Sequence, residues 1–262
     1  MLEQDPVKIC TVCGEPLELW IEVEAINRRS KIRRSCLCER EAYEKNQREA
    51  KKLEMAVWAS EKRIKGLSDD QYRESTFAKD DGRDSHSSHV CRRYVEEWEA
   101  MRKGNFGLLL WGEVGGGKTF FASCIANALL DTGVEVMMTT IPNLYAAMTA
   151  NYAKKRRSTL DKVRDAGLLI LDDVGVGRMN STALECAYDI VNERYKSQKP
   201  LIITTNLTMK EMKNEKELAL KRIYSRLIEL CTPVKVQGLQ RREEKARVKM
   251  EQMRMILDGQ TT

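Results

Sequence analysis

One stretch of the 262-residue chain has the residue types and spacing to grip a phosphate chain: Gly112-Glu113-Val114-Gly115-Gly116-Gly117-Lys118-Thr119. Gly112, Gly115, Gly116 and Gly117 stand where backbone N–H groups must converge on phosphate oxygens, and a side chain there would hold the ligand off. Lys118 is placed to reach the β- and γ-phosphates, and the Thr119 hydroxyl to bind Mg²⁺. A second stretch, residues 167–173 (GLLILDD), is an apolar run ending in two carboxylates. Asp172 there would hold Mg²⁺ through water, and Asp173 would polarise an attacking water as general base. A third, residues 200–206 (PLIITTN), ends in Asn206, which can orient that water or sense the terminal phosphate.

A different chemistry is concentrated near the N-terminus. Cys10 and Cys13 form a CxxC knuckle followed by Gly14, and Cys36 and Cys38 form a second pair. Two such pairs across a short insert can close a tetrahedron of sulfurs around Zn²⁺. Metal binding would supply folding energy that so short a segment cannot draw from a small core. Disulfides and a redox CxxC are the competing readings. A cytosolic setting opposes the first, and the absence of a strand–helix context opposes the second. Cys124, Cys186 and Cys231 lie in apolar or amphipathic stretches and read as small buried hydrophobes. His86 and His89, near Cys91, could pair on a metal but read better as part of a polar loop leading into a helix. Arg28, Arg29, Lys31, Arg33 and Arg34 form a basic strip between the cysteine pairs. It suits a phosphate or an acidic partner as well as a solvated hairpin edge.

These residues need elements to hold them. The apolar runs 106–111, 134–139, 167–171, 200–205 and 234–236 read as buried strands of one parallel sheet. A helix from Thr119 to Asp131 would aim its positive end at the phosphates. The expected fold is therefore α/β, a five-stranded parallel sheet flanked by helices, behind a small zinc-binding N-terminal domain. Residues 39–65, rich in Glu, Lys, Arg and Ala and lacking Gly and Pro, read as a largely exposed helix that Gly66 breaks. Residues 79–88 read as polar linker, and a second helix runs from about Val90 to Arg102. The division expected is 1–65 for the zinc-binding segment with its helix, 66–88 for a linker, 89–245 for a nucleotide-binding domain and 246–262 for a charged helical tail. Hydrophobic residues at 42% suffice for a core, and charged residues at 32% are mixed in sign, so wholesale disorder is excluded. No run approaches a membrane span and the first residues lack an apolar signal core, so the expected place is the cytoplasm. Net charge is +6, too small by itself to argue for nucleic acid.

Taken together, the motifs resemble the AAA+ ATPases and, within them, the DnaC/DnaI/IstB-like branch of helicase loaders. The likeness rests on the phosphate loop, residues 168–175 (LLILDDVG), the TTN strand end and Ser75-Thr76-Phe77 as lead-in, over roughly residues 72–245. It implies ATP as the nucleotide, with Phe77 beside it. It implies that Arg226, or failing that Arg222, is an arginine finger reaching the ATP of a neighbouring copy. Arg242 follows Gly238 where many members carry GxSYR; the Ser and Tyr are replaced here, so a sensor role and a merely basic tail both stand.

The resemblance also implies partners. Between the second and third strands of the sheet, Tyr145, Tyr152 and Lys154-Lys155-Arg156-Arg157 sit where loaders contact single-stranded DNA. The competing reading is an amphipathic helix with Leu144, Met148 and Tyr152 inside and a solvated basic end. A loader would assemble as an ATP-bound homo-oligomer on single-stranded DNA and hold a DnaB-type replicative helicase through its zinc-bearing segment. An IstB-like transposition ATPase and a nucleotide-switched adaptor are the alternatives.

Overall fold

The computed structural model describes residues 7–23, 28–149, 152–175, 180–237 and 241–258, with backbone alone for Val23, Arg28, Tyr152, Ala153, Lys154, Arg241, Arg242 and Lys245. The chain divides into two units, Met1–Val57 and Trp58–Thr262.

In the first unit, strands β1 (Glu18–Val23) and β2 (Arg28–Arg33) form an antiparallel hairpin. Its register sets charges opposite their complements, with Glu18 facing Arg33 and Glu22 facing Arg29. Arg29 pairs with Glu22 at 2.6 Å, Lys31 with Glu18 at 3.7 Å, and Arg33 with Glu39 at 3.0 Å. Much of the basic strip is thus spent on a solvated hairpin edge. Helix α1 (Leu37–Gly66) follows. Its residues 41–57 are all exposed, in keeping with their charged, Ala-rich composition.

The second unit begins inside α1, where Ala59 is the first buried side chain of the helix. Then come α2 (Asp70–Glu74), a 3₁₀ turn (Phe77–Lys79), α3 (Ser85–Glu96), α4 (Trp98–Gly104), β3 (Gly107–Trp111), α5 (Lys118–Asp131), β4 (Val136–Thr140), α6 (Ile141–Thr149) and α7 (Tyr152–Asp165). The order continues with β5 (Leu168–Asp172), α8 (Ser181–Ser197), β6 (Leu201–Thr205), α9 (Met209–Lys213), α10 (Leu218–Leu230), β7 (Cys231–Lys235) and α11 (Arg241–Leu257). The five strands β3–β7 make the expected parallel sheet, in the order β4-β5-β6-β3-β7. Alternation along the strands feeds two cores. Leu108, Leu110 and Ile170 meet Phe121, Ile125 and Leu129 of α5 on one face. Leu109, Leu169, Leu171 and Ile203 meet residues of α6, α8 and α10 on the other, among them Leu144, Ile190 and Leu227. With both faces covered, the inner strands β5, β6 and β3 leave their carboxyl ends side by side.

Two elements differ from the sequence expectation. The segment 66–88 is not a plain linker: Leu67 is fully buried, Tyr72 is buried, and the backbone makes a bridge from Leu67 to Met138 of β4. His86 and His89 do not lie on a loop but on α3, exposed, because Asp84 caps that helix by accepting from the Ser87 amide at 3.0 Å. Asp84 also accepts from the Gln237 amide at 2.9 Å, tying α3 to the segment after β7.

One buried charge supports the end of the sheet away from the site. Arg194 on α8 is fully buried and donates to the carbonyls of Val163, Ala166, Gly167 and Pro200. Burial pushes its pKa down to about 9, still above neutrality, so the guanidinium stays charged and five donors meet backbone acceptors where β5 and β6 begin.

Candidate nucleotide site and cysteine cluster

The phosphate loop leaves β3 at Trp111 and turns into α5. Gly117 caps α5 at φ +102°, a left-handed backbone that an L side chain rarely adopts. At Gly112 a Cβ would collide with the Val236 carbonyl. The Gly116 amide donates to the Glu113 carbonyl at 3.3 Å and closes the loop. Lys118, buried, donates to the carbonyls of Gly112 at 3.0 Å and Glu113 at 2.8 Å, which folds its ammonium back over the loop.

The two carboxylates at the end of β5 have different surroundings. Asp172 is 4% exposed. Its Oδ1 accepts from the Thr119 hydroxyl at 3.0 Å and the Thr204 hydroxyl at 2.6 Å; its Oδ2 accepts from the Tyr72 hydroxyl at 2.9 Å. Burial first, and then Asp172, push the Tyr72 pKa up, so the phenol stays a donor. Asp173 sits at φ +53°, in the left-handed region that Asp tolerates better than most residues. The Thr204 hydroxyl accepts the Asp173 amide at 2.9 Å, and the Thr204 carbonyl accepts the Val174 amide at 2.8 Å. The chain therefore turns so that Asp173 is exposed while Asp172 stays inside.

A cavity of about 1160 Å³ opens over this floor, with Lys118, Thr119, Asp173 and Asn206 on its wall. A second wall comes from the lead-in, with Gln71, Ser75, Lys79 and Arg83, and a third from α11, with Glu244, Val248 and Lys249. An Arg83–Glu244 ion pair at 2.5 Å joins those two walls. Volume and lining suit a nucleoside triphosphate. Thr119 and Asp172 form a hard-oxygen donor pair of the kind that Mg²⁺ takes.

Phe77 is not among the residues lining the cavity. It packs under the Arg92 guanidinium, 4.6 Å from the ring centroid, while its neighbours Ser75 and Lys79 face the site. The side chain of Arg242, and Gly238, lie outside the described residues, as do the side chains of Tyr152 and Lys154. Arg222 and Arg226 stand one turn apart on α10, the first exposed and the second half-buried. Arg226 stacks on Tyr188 at 4.6 Å and Tyr195 at 5.6 Å, and its Nη1 is buried with no hydrogen-bond partner. Leu144 and Met148 are in the core and Tyr145 packs partly against it. Lys155 and Arg157 are exposed, and Arg156 pairs with Asp189. Sequence reasoning missed Tyr72 and the bridging role of Thr204. The TTN run marked Thr204 as a polar strand end; Tyr72 carried no signal.

In the first unit, Cys10, Cys13, Cys36 and Cys38 come together, every sulfur within 4.8 Å of the others. Zn–S bonds of about 2.3 Å set sulfurs about 3.8 Å apart, so small adjustments close a tetrahedral thiolate site. The amides of Glu15 and then Cys38 help hold the Cys13 thiol down to about 6, while the hydrogen bond with Cys13, and then burial, push the Cys38 thiol up to about 12, so the charge of the metal-free cluster gathers on Cys13.

Parallel sheet, phosphate loop and paired carboxylates define a P-loop nucleotide-binding core of the AAA+ kind. The chain belongs to the IstB-like ATP binding protein family, which matches residues 30–249. It is 26% identical over 160 residues to the replicative helicase loader DnaI of Bacillus subtilis (strain 168), covering 57% of this chain and 51% of the relative. It is 30% identical over 126 residues to the replicative helicase loader DnaC of Escherichia coli (strain K12), covering 47% and 50%. The chain thus spans about half the length of the curated relatives it matches. A crystal structure of DnaI shares the fold, with a TM-score of 0.53 and 23% identity over 66% of this chain and 96% of that one. Among the described residues no helix is long and apolar enough to cross a membrane.

Proposed function

We propose that this protein is an ATP-hydrolysing helicase loader of DNA replication, acting on a DnaB-type helicase. The observation that carries the reading is the grouping of Thr119, Asp173 and Asn206 around one cavity, with Asp172 hydrogen-bonded to Thr119 beneath it, in a chain whose relatives are named replicative helicase loaders. Thr119 and Asp172 would hold Mg²⁺, which when bound neutralises charge on the β- and γ-phosphates. Asp173, exposed beside Asn206, takes the proton of the attacking water as it adds to the γ-phosphorus and the bond to ADP breaks. Lys118 leaves its loop carbonyls for the phosphate oxygens. Arg226, stacked on Tyr188 and Tyr195, is the first choice for an arginine finger that reaches the ATP of the next copy, and Arg222, exposed on the same helix, is the second. Such a head-to-tail contact builds a ring or a helical assembly.

The remaining assignments follow the same division of labour. Cys10, Cys13, Cys36 and Cys38 hold zinc, and residues 1–65 engage the helicase. Residues 66–88 lead into the ATP-binding domain of 89–245, and 246–262 form its tail. Lys155 and Arg157, the exposed part of the α7 cluster, give single-stranded DNA a phosphate contact. A second reading, a transposition ATPase, has support in a 29% identity over 100 residues to an insertion sequence ATP-binding protein of Sinorhizobium fredii (strain NBRC 101917 / NGR234). The test is co-purification of the full chain with the host's replicative helicase, with and without ATP, alongside ATP turnover with single-stranded DNA. Helicase capture that depends on nucleotide supports the loader; turnover without capture favours transposition.

A further inference from the structure

The lead-in to the sheet reaches the metal-binding carboxylate, and nothing in the phosphate-loop chemistry requires it to. Asp172 has three hydroxyl donors. Thr119 and Thr204 belong to the loop helix and the neighbouring strand, whereas Tyr72 comes from α2, 100 positions earlier in the chain. Its hydroxyl donates to the oxygen that the other two leave, so the three donors together fix the carboxylate's rotation. Tyr72 is 7% exposed, leaving its ring little freedom to turn elsewhere.

The backbone around Tyr72 is itself clamped. Asn127 on α5 is buried; its amide donates to the carbonyls of Tyr72 at 2.7 Å and Ser75 at 2.8 Å. The Asn127 Oδ1 accepts from Arg63 Nε at 2.7 Å, and Arg63 also pairs with Asp131 at 2.6 Å. A continuous hydrogen-bonded path therefore runs from the last turns of α1 through α5 and α2 to Asp172.

We infer that Tyr72 is a positioning residue for the magnesium site: it sets the orientation of Asp172, and the Arg63–Asn127 clamp sets Tyr72. This rests on the nucleotide-site reading above. Outer partners of a metal-binding carboxylate tune affinity by roughly 10- to 100-fold. Without the phenol, Oδ2 loses its donor, the carboxylate can rotate, and the Thr119 hydroxyl bonded to it loses its fixed direction.

The experiment is fluorescence binding of a labelled ATP analogue to full-length protein, in EDTA and across a magnesium titration. Wild-type protein should bind in EDTA and tighten with magnesium. Tyr72→Phe keeps the ring and removes the oxygen. Its affinity in EDTA should equal wild type, while half-saturating magnesium rises roughly tenfold. Arg63→Ala, which loses the part-buried hydrogen bond to Asn127 and the ion pair with Asp131, should raise it about threefold, and should add nothing in the Tyr72→Phe background. Unchanged magnesium dependence in Tyr72→Phe, or an equal loss of affinity in EDTA, overturns the role of Tyr72. Full additivity of the two substitutions overturns the clamp. Wild-type protein that binds the analogue under neither condition overturns the site reading together with both.

Discussion

The two units of this chain solve the same thermodynamic problem by different means. In Trp58–Thr262, the inner strands β3, β5 and β6 are buried on both faces, and the cost of ordering the backbone is offset by apolar area. In Met1–Val57, Cys36 is the one buried side chain among the described residues. Leu19, Ile32 and Leu37 remain exposed there, and surface ion pairs such as Arg29–Glu22 contribute little. What that unit does have is four sulfurs within 4.8 Å of one another. Where a core is missing, a metal held by those sulfurs would take over its work, and the two units should then fail under different insults.

The largest effect expected follows directly. Structural zinc supplies about 10–16 kcal/mol of binding energy to small domains. Chelation, or Cys10→Ser, should therefore erase amide protection across residues 7–57 in hydrogen exchange while nucleotide binding by the rest persists. Loss of exchange protection in both units together would break the contrast. The second unit has its own weak point in Arg194. Arg194→Ala removes the shared donor of four carbonyls, each costing about 1–3 kcal/mol when left unpaired in the interior. The net cost should be several kcal/mol of global stability, read as a fall in denaturant midpoint with metal content unchanged.

Function should separate from stability at Lys118. Lys118→Ala should weaken ATP binding by roughly 2–5 kcal/mol, as for a truncated buried charge partner, without moving the thermal midpoint by more than a few degrees. Calorimetric titration with ATP would settle it, and unaltered affinity would remove the phosphate-loop assignment.

How much of this was open to reading in the sequence depends on how far each side chain's partners lie along the chain. The phosphate loop, the carboxylate strand and the cysteine pairs carry their chemistry in contiguous residues, and their elements fell where the runs predicted. β7 was harder: Cys231–Lys235 contains Pro233, which suits only an edge strand, and the visible apolar signal was confined to Val234 and Val236. The start of α3 was hidden because its buried face is made of Ser87, Ser88 and Cys91, which look polar in a row of letters. Arg194 and Tyr72 could not be foreseen at all. One satisfies backbone carbonyls on distant segments, and the other meets a carboxylate 100 residues away; neither relation leaves a spacing to find.

The smallest effect sharpens the comparison within the site. Asp172 and Asp173 are adjacent, yet one is 4% exposed and the other open to the cavity. Thr204 connects them: its hydroxyl donates to the first carboxylate and accepts the amide of the second. Thr204→Val keeps the shape of a fully buried side chain and deletes that bridge. The Asp173 amide then loses its bond to the hydroxyl, at about 1–2 kcal/mol, and its left-handed turn keeps only the second of its two bonds, from the Val174 amide to the Thr204 carbonyl. Thr119 and Tyr72 still hold Asp172, so magnesium-dependent nucleotide binding should change little. Turnover should fall more than binding does, because the exposed carboxylate is the one whose direction the bridge sets. A drop in binding as large as the drop in turnover would mean that Thr204 serves Asp172 alone, and that the two carboxylates do not divide their work.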